Sequence, residues 1–145
     1  MIFSRQNLPF QTRTADQIAD VAKGGYVLAK EKGELKAIII ATGSEVSLAM
    51  DAYAQLDGVR VVSMPCAEEF VKQDAGYREA VLPSAIRARV AVEAAHVDYW
   101  WKFVGLDGKV IGMTTYGESA PAKDLYQYFG ITADAVVAAV KEITA

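Results

Sequence analysis

The chain is poor in the residues that most often build catalytic and metal sites. Its 145 residues include one histidine, His96, one cysteine, Cys66, and one asparagine, Asn7. Metal centres need several ligands, so this composition argues against a bound metal ion. One cysteine cannot form a disulfide within the chain, which predicts a reducing, cytoplasmic location and a buried structural thiol at Cys66.

Long apolar runs and clusters of one charge are also missing. No apolar run approaches the roughly 20 residues that cross a bilayer, and the amino terminus has no signal-peptide pattern. The net charge is −3 and lysine and arginine form no basic stripe, which argues against a nucleic-acid partner. Hydrophobic residues make up 52% of the chain, enough apolar material for a packed core.

Short apolar segments rich in β-branched residues alternate with helical patterns along most of the chain. The predicted strands lie at residues 26–29, 35–41, 59–64, 88–93 and 109–113. This alternation predicts an α/β fold, a three-layer α/β/α unit around a mixed, mostly parallel sheet of about five strands. The link between the first two strands is too short for a right-handed crossover, so one strand is expected to be antiparallel.

Two segments, residues 14–17 and residues 42–45, fit the capping box that starts a helix. The second follows a predicted buried strand, and a helix amino terminus there would present free backbone N–H groups. Such groups can hold an anion, which makes Gly43, Ser44 and Glu45 a possible anion site. The alternative is a plain tight turn, because the glycine-rich phosphate loops are absent.

Polar residues near the end of the fourth predicted strand are weaker candidates. His96 follows that strand, where sites in α/β sheets tend to lie, but no serine or aspartate pattern accompanies it. Glu93 and Asp98 could act as an acid–base pair only if they met. The aromatic residues at 99–103 are expected to divide between core packing and a domain or subunit interface.

Seven segments, in this order, resemble bacterial transketolases. They are SRQNL (residues 4–8), GGYVL (24–28), ATGSEV (41–46), VVSMP (61–65), YREAVLP (77–83), ARVAVEA (88–94) and GESAP (117–121). Together they cover nearly all of the chain and match the third, carboxy-terminal domain of that family. The resemblance implies that residues 1–13 are the end of the second, pyrimidine-binding domain plus a linker, and that residues 14–145 are the third domain.

The resemblance also implies a function for the full-length protein. Transketolases are homodimers that use thiamine diphosphate and Mg²⁺ or Ca²⁺ to move a two-carbon ketol unit between sugar phosphates of the pentose phosphate pathway. Arg5 looks like the arginine that binds the substrate phosphate, whereas an isolated arginine, taken by itself, is more often a surface residue. The expected partners are the remaining transketolase domains and the second subunit.

The cofactor is not expected on this chain. The family's diphosphate–metal motif is a Gly-Asp-Gly followed later by asparagines, but Asp107-Gly108 lacks the first glycine and Asn7 precedes it. The opening residues Ile2-Phe3 resemble a strand that should follow other structure, which suggests a fragment. We therefore expect a structural and assembly domain without catalysis of its own.

Two alternatives remain open. One is an effector-binding regulatory module that uses the helix start at residues 42–45. The other is the equivalent domain of a 2-oxo acid dehydrogenase subunit or of deoxyxylulose phosphate synthase. The segments SRQNL and GESAP favour transketolase over both of these relatives.

Overall fold

The computed structural model describes residue 4 and residues 6–145. Its elements, in chain order, are α1 (Ala15–Asp20), β1 (Tyr26–Ala29), β2 (Ala37–Ala41), α2 (Val46–Tyr53), β3 (Val59–Ser63), α3 (Ala67–Phe70), α4 (Ala75–Val81), β4 (Arg89–His96), α5 (Trp101–Val104), β5 (Lys109–Met113), α6 (Ala122–Tyr128) and α7 (Ala133–Ile143). Short 3-10 helices at Val21–Lys23, Gly43–Glu45 and Val97–Trp100 adjoin α1, α2 and α5.

The strands form a five-stranded mixed sheet in the order β1-β3-β2-β4-β5. Strands β2 to β5 pair in parallel, and β1 is antiparallel to β3, which confirms the predicted fold. The antiparallel strand does not form a hairpin with the strand that follows it. Both edges of β2 are occupied by β3 and β4, so β1 pairs beyond β3 at the edge of the sheet.

Helices cover both faces of the sheet and divide the apolar core into two clusters. On one face, α2 and α7 pack against Ile39, Val61, Val90 and Val92. On the other face, α3, α4, α5 and Trp100 pack against Ile38, Ile40, Val62 and Ala91. Because successive residues of a strand point to opposite faces, the uninterrupted run of isoleucines in β2 supplies both clusters.

The edge strand β1 is covered by a side chain of α1. The predicted capping box is present, because the Thr14 and Gln17 side chains bond each other's backbone N–H groups at 3.2 and 3.0 Å. The Gln17 amide also donates to the carbonyl oxygens of Val27 and Leu28, at 2.9 Å each. These bonds satisfy backbone groups that would otherwise leave an open sheet edge.

Two local predictions are wrong. The capping box at residues 42–45 is absent: the Thr42 side chain makes no cap, since the Glu45 N–H donates to the Thr42 carbonyl in a 3-10 turn, and the Glu45 carboxylate is bonded to Tyr126 and the Ala94 backbone. Cys66 is half-buried rather than buried, because it precedes the short surface helix α3 instead of lying inside a core element. Within the described residues, no helix is both long and apolar enough to cross a membrane.

Candidate functional site

The carboxyl ends of the parallel strands border an open cavity of about 970 Å³. Thr42 follows β2, Glu93 belongs to β4 and Met113 ends β5, and all three line it. Helix α6 and the segment before α1 form other parts of the wall. The carboxyl edge of an open α/β sheet is the usual place for a ligand site, so the cavity is the candidate site.

Glu45 is the central side chain of this wall. The residue is only 4% exposed, and both oxygens of its carboxylate accept hydrogen bonds. The Ser44 and Tyr126 hydroxyls donate to Oε1 at 2.6 and 2.5 Å, and the backbone N–H of Ala94 donates to Oε2 at 3.1 Å. A buried carboxylate needs such partners, and these join the end of β2 to β4 and to α6.

A second carboxylate, Glu93, lies on the same wall. The indole N–H of Trp100 donates to its Oε2 at 2.6 Å. Burial raises the pKa of Glu93 above its usual value, the bond from Trp100 opposes this shift, and the charge of Glu45 adds to it. The two carboxyl groups thus lie on one wall of the cavity.

The hydrogen bonds at residues 43–45 do not favour the possible anion site there. The Ser44 hydroxyl is already used as a donor to Glu45, and the Glu45 carboxylate lines the same cavity. An anion bound there would approach the carboxyl group of Glu45, which offers it no N–H donor. The anion site stays a prediction, and the capping box that motivated it is absent.

The remaining candidates near β4 do not form one site. His96 is exposed; its Nδ1 accepts from the backbone N–H of Asp98 at 3.4 Å, and the Asp98 carboxylate lies 3.5 Å away. Glu93 is bonded to Trp100 instead, so the two acidic side chains have different partners. Strand β4 continues past Glu93 to His96, further than predicted.

The aromatic segment divides between the core and the surface. Trp100 and Phe103 are buried beside the sheet, whereas Tyr99 and Trp101 are exposed to 39% and 43%. The Tyr99 hydroxyl donates to Glu68 at 2.5 Å, and burial followed by this bond raises the pKa of Tyr99 to about 12. The exposed pair leaves apolar area on the surface, and its contact with another domain or subunit stays a prediction.

Arg5 lies outside the described residues, but its neighbours in sequence line the cavity. Ser4, Gln6 and Leu8 all border it. The Gln6 amide donates to the Tyr126 hydroxyl at 3.4 Å, across 120 positions of sequence. Sequence reasoning missed Tyr126, because it lies in an amphipathic helix with no motif around it.

Comparison with known proteins gives consistent matches. Residues 24–132 match the family described as the transketolase-like TK C-terminal domain. Transketolase 2 of Vibrio parahaemolyticus is 57% identical over 100% of this chain, which covers 22% of that protein. The chain thus spans about a fifth of the length of the curated relatives it matches.

Solved transketolases share the fold. The transketolase of Leishmania mexicana superposes with a TM-score of 0.87 at 43% identity, over 97% of this chain and 20% of that one. A transketolase of Pichia stipitis in complex with sedoheptulose 7-phosphate gives a TM-score of 0.82 at 34% identity, over 96% of this chain and 20% of that one.

Proposed function

Because the chain belongs to the family of transketolase-like C-terminal domains, we propose that it is the third domain of a full-length, cytoplasmic, homodimeric transketolase. Residues 14–145 form that domain, and residues 1–13 are the end of the preceding domain and its linker. The observation that carries the proposal is the identity of 57% to a transketolase across the whole chain.

The proposed reaction of the full-length enzyme is a redox-neutral group transfer. The bond between C2 and C3 of a ketose phosphate breaks, and C2 forms a new bond to the aldehyde carbon of an aldose phosphate. The two-carbon ketol unit moves, the donor leaves as a shorter aldose, and the acceptor becomes a longer ketose. Thiamine diphosphate, held with a divalent cation elsewhere in the full enzyme, supplies the stabilisation of the carbanion.

The residues of this chain do not fit that cofactor. No group of three histidine, cysteine, aspartate or glutamate side chains among residue 4 and residues 6–145 could hold a metal ion. Among the described residues that line the cavity at the sheet edge there is no lysine or arginine, and the acidic side chains Glu45 and Glu93 do not suit a diphosphate. The contribution of this chain is therefore assembly, with one direct contact to substrate.

That contact is assigned to Arg5, within the segment SRQNL. A guanidinium suits a phosphate because its N–H groups form parallel hydrogen bonds to two oxygens. The similarity to a Pichia stipitis transketolase that binds sedoheptulose 7-phosphate supports a sugar phosphate as the ligand. The described neighbours of Arg5, at residues 4, 6 and 8, border the cavity at the sheet edge.

The experiment compares two proteins. The chain alone is assayed with sedoheptulose 7-phosphate, an aldose phosphate, thiamine diphosphate and Mg²⁺. A chimera is assayed in parallel, in which this chain replaces the matching carboxy-terminal 22% of Vibrio parahaemolyticus transketolase 2. We expect no turnover by the chain and ketol transfer by the chimera. Turnover by the chain alone, or a folded chimera without activity, would contradict the proposal.

A further inference from the structure

A chain of hydrogen bonds joins the segment that carries Arg5 to the core of the domain. The Gln6 amide donates to the Tyr126 hydroxyl at 3.4 Å, and that hydroxyl donates to the buried carboxylate of Glu45 at 2.5 Å. A phenol can accept one hydrogen bond and donate another at the same time. Tyr126 therefore bridges Gln6 and Glu45, although 120 and 81 positions separate it from them in sequence.

The far end of this bridge is held firmly. Glu45 is buried, and the Ser44 hydroxyl and the Ala94 backbone N–H fix its two oxygens. Burial and the bond to Glu45 both raise the pKa of Tyr126, so the phenol keeps its proton at neutral pH and donates it to the carboxylate. The sheet domain thus sets the position of the Tyr126 hydroxyl, and this hydroxyl accepts the hydrogen bond from the Gln6 amide.

The other end of the bridge, Gln6, is next in sequence to the residue proposed to contact the substrate. Gln6 directly follows Arg5 in sequence, and Ser4 and Leu8 border the same cavity. The next side-chain bond from this segment to the domain is made by Arg13, whose Nε donates to the Tyr26 hydroxyl at 2.6 Å. Gln6 is therefore the attachment to the sheet domain closest in sequence to Arg5 among the described residues.

We propose that Tyr126, held by Glu45, is a positioning residue for substrate phosphate binding: it restrains Gln6, the residue that follows Arg5 in sequence. This inference rests on the proposed function of Arg5 and gives the third domain a defined part in substrate recognition. Tyr126 does not touch the substrate. It limits the conformations of Gln6, and such preorganisation beside a phosphate-binding residue strengthens binding.

The test uses the full-length chimera and compares a donor that carries a phosphate with one that does not. Values of kcat/KM are measured for sedoheptulose 7-phosphate and for sedoheptulose, with the phosphate-free aldehyde glycolaldehyde as acceptor for both. The ratio of the two is unaffected by the fraction of folded enzyme. Tyr126→Phe removes one hydroxyl, and Tyr128→Phe is the matched control, because Tyr128 lies on the same helix and is 74% exposed.

Loss of one hydrogen bond predicts that Tyr126→Phe lowers the ratio about three- to tenfold, mainly through KM for the phosphorylated donor. Tyr128→Phe leaves the ratio unchanged. Gln6→Ala gives a similar loss, and the double variant of Gln6 and Tyr126 loses no more than either single one, since both changes break the same connection. Equal losses for both donors would show a purely structural role and overturn the inference.

Arg5→Ala separates this inference from the proposed function. If Arg5→Ala lowers the ratio and Tyr126→Phe does not, the positioning role fails and the phosphate contact stands. If Arg5→Ala leaves the ratio unchanged, the phosphate contact fails and the positioning role fails with it.

A second measurement does not depend on the chimera. In the chain itself, Tyr126→Phe is expected to lower the backbone ¹⁵N order parameter of Gln6 relative to Tyr128→Phe, and an unchanged value would overturn the inference.

Discussion

Substitution of Gly24 by alanine should destabilise the domain well beyond the cost of its backbone conformation. Gly24 has a φ of +83° and ends the 3-10 helix that follows α1. A Cβ atom there would lie 2.5 Å from the backbone nitrogen of Phe70 and closer still to the carbonyl oxygen of Cys66. Both neighbours are backbone atoms of the α3 region, so no side-chain rotation can make room.

The magnitude has two parts. A non-glycine residue at positive φ costs roughly 1–2 kcal/mol. Overpacking against well-fixed atoms adds roughly 1–3 kcal/mol. The neighbours are well fixed, because the Cys66 N–H donates to the Gly24 carbonyl at 3.0 Å and the Phe70 ring is buried in the core. The free energy of unfolding should therefore fall by about 2–5 kcal/mol.

Gly33 provides the matched control. Its φ is +79°, nearly that of Gly24, but an added Cβ would meet no atom within 4 Å. Gly33→Ala should cost only the conformational part, roughly 1–2 kcal/mol. Urea unfolding followed by far-ultraviolet circular dichroism gives both values. If the two variants lose the same stability within about 0.5 kcal/mol, the close approach of α3 to Gly24 is not the cause.

Three further predictions concern side chains. The Arg89 guanidinium donates to four backbone carbonyls, so Arg89→Met should lower the free energy of unfolding by about 2–4 kcal/mol in urea titrations, and a loss below about 1 kcal/mol would contradict its bridging role. Thr132→Ala should lower the free energy of unfolding by about 1 kcal/mol because a helix cap is lost, and Thr42→Ala, which loses no cap, should lower it clearly less. Equal losses for the two variants would show that Thr42 does cap a helix. The pKa of Glu93 is raised by folding, so its ionisation makes the domain less stable as pH rises from the unfolded pKa through the folded one. Glu93→Gln should therefore gain stability over the original chain at pH 7, and this gain should shrink at pH 4; a gain independent of pH would refute the assignment.

The strands and most of the helices could be predicted because their signals are local. The isoleucine run of β2 is apolar at every position, which by itself predicts a strand covered on both faces, and the strand is buried throughout. The cap at Thr14 depends on groups three residues apart, and it forms as predicted. The ordered segments from SRQNL to GESAP likewise lie along the chain, and they identified the family before any contact was known.

The wall of the candidate site was decided only by tertiary structure. Thr42 and Glu45 have the spacing of a capping box, but the Glu45 carboxylate accepts hydrogen bonds from Tyr126 and from the Ala94 backbone. Both partners belong to elements that no local sequence pattern connects to Glu45. Glu45 is buried, and its hydrogen bonds to Tyr126 and Ala94 offset the cost of removing its carboxylate from water. A local cap at the surface would not offset this cost. Local sequence determined which segments become strands and helices; long-range competition for hydrogen bonds decided which side chains face the cavity and what holds them there.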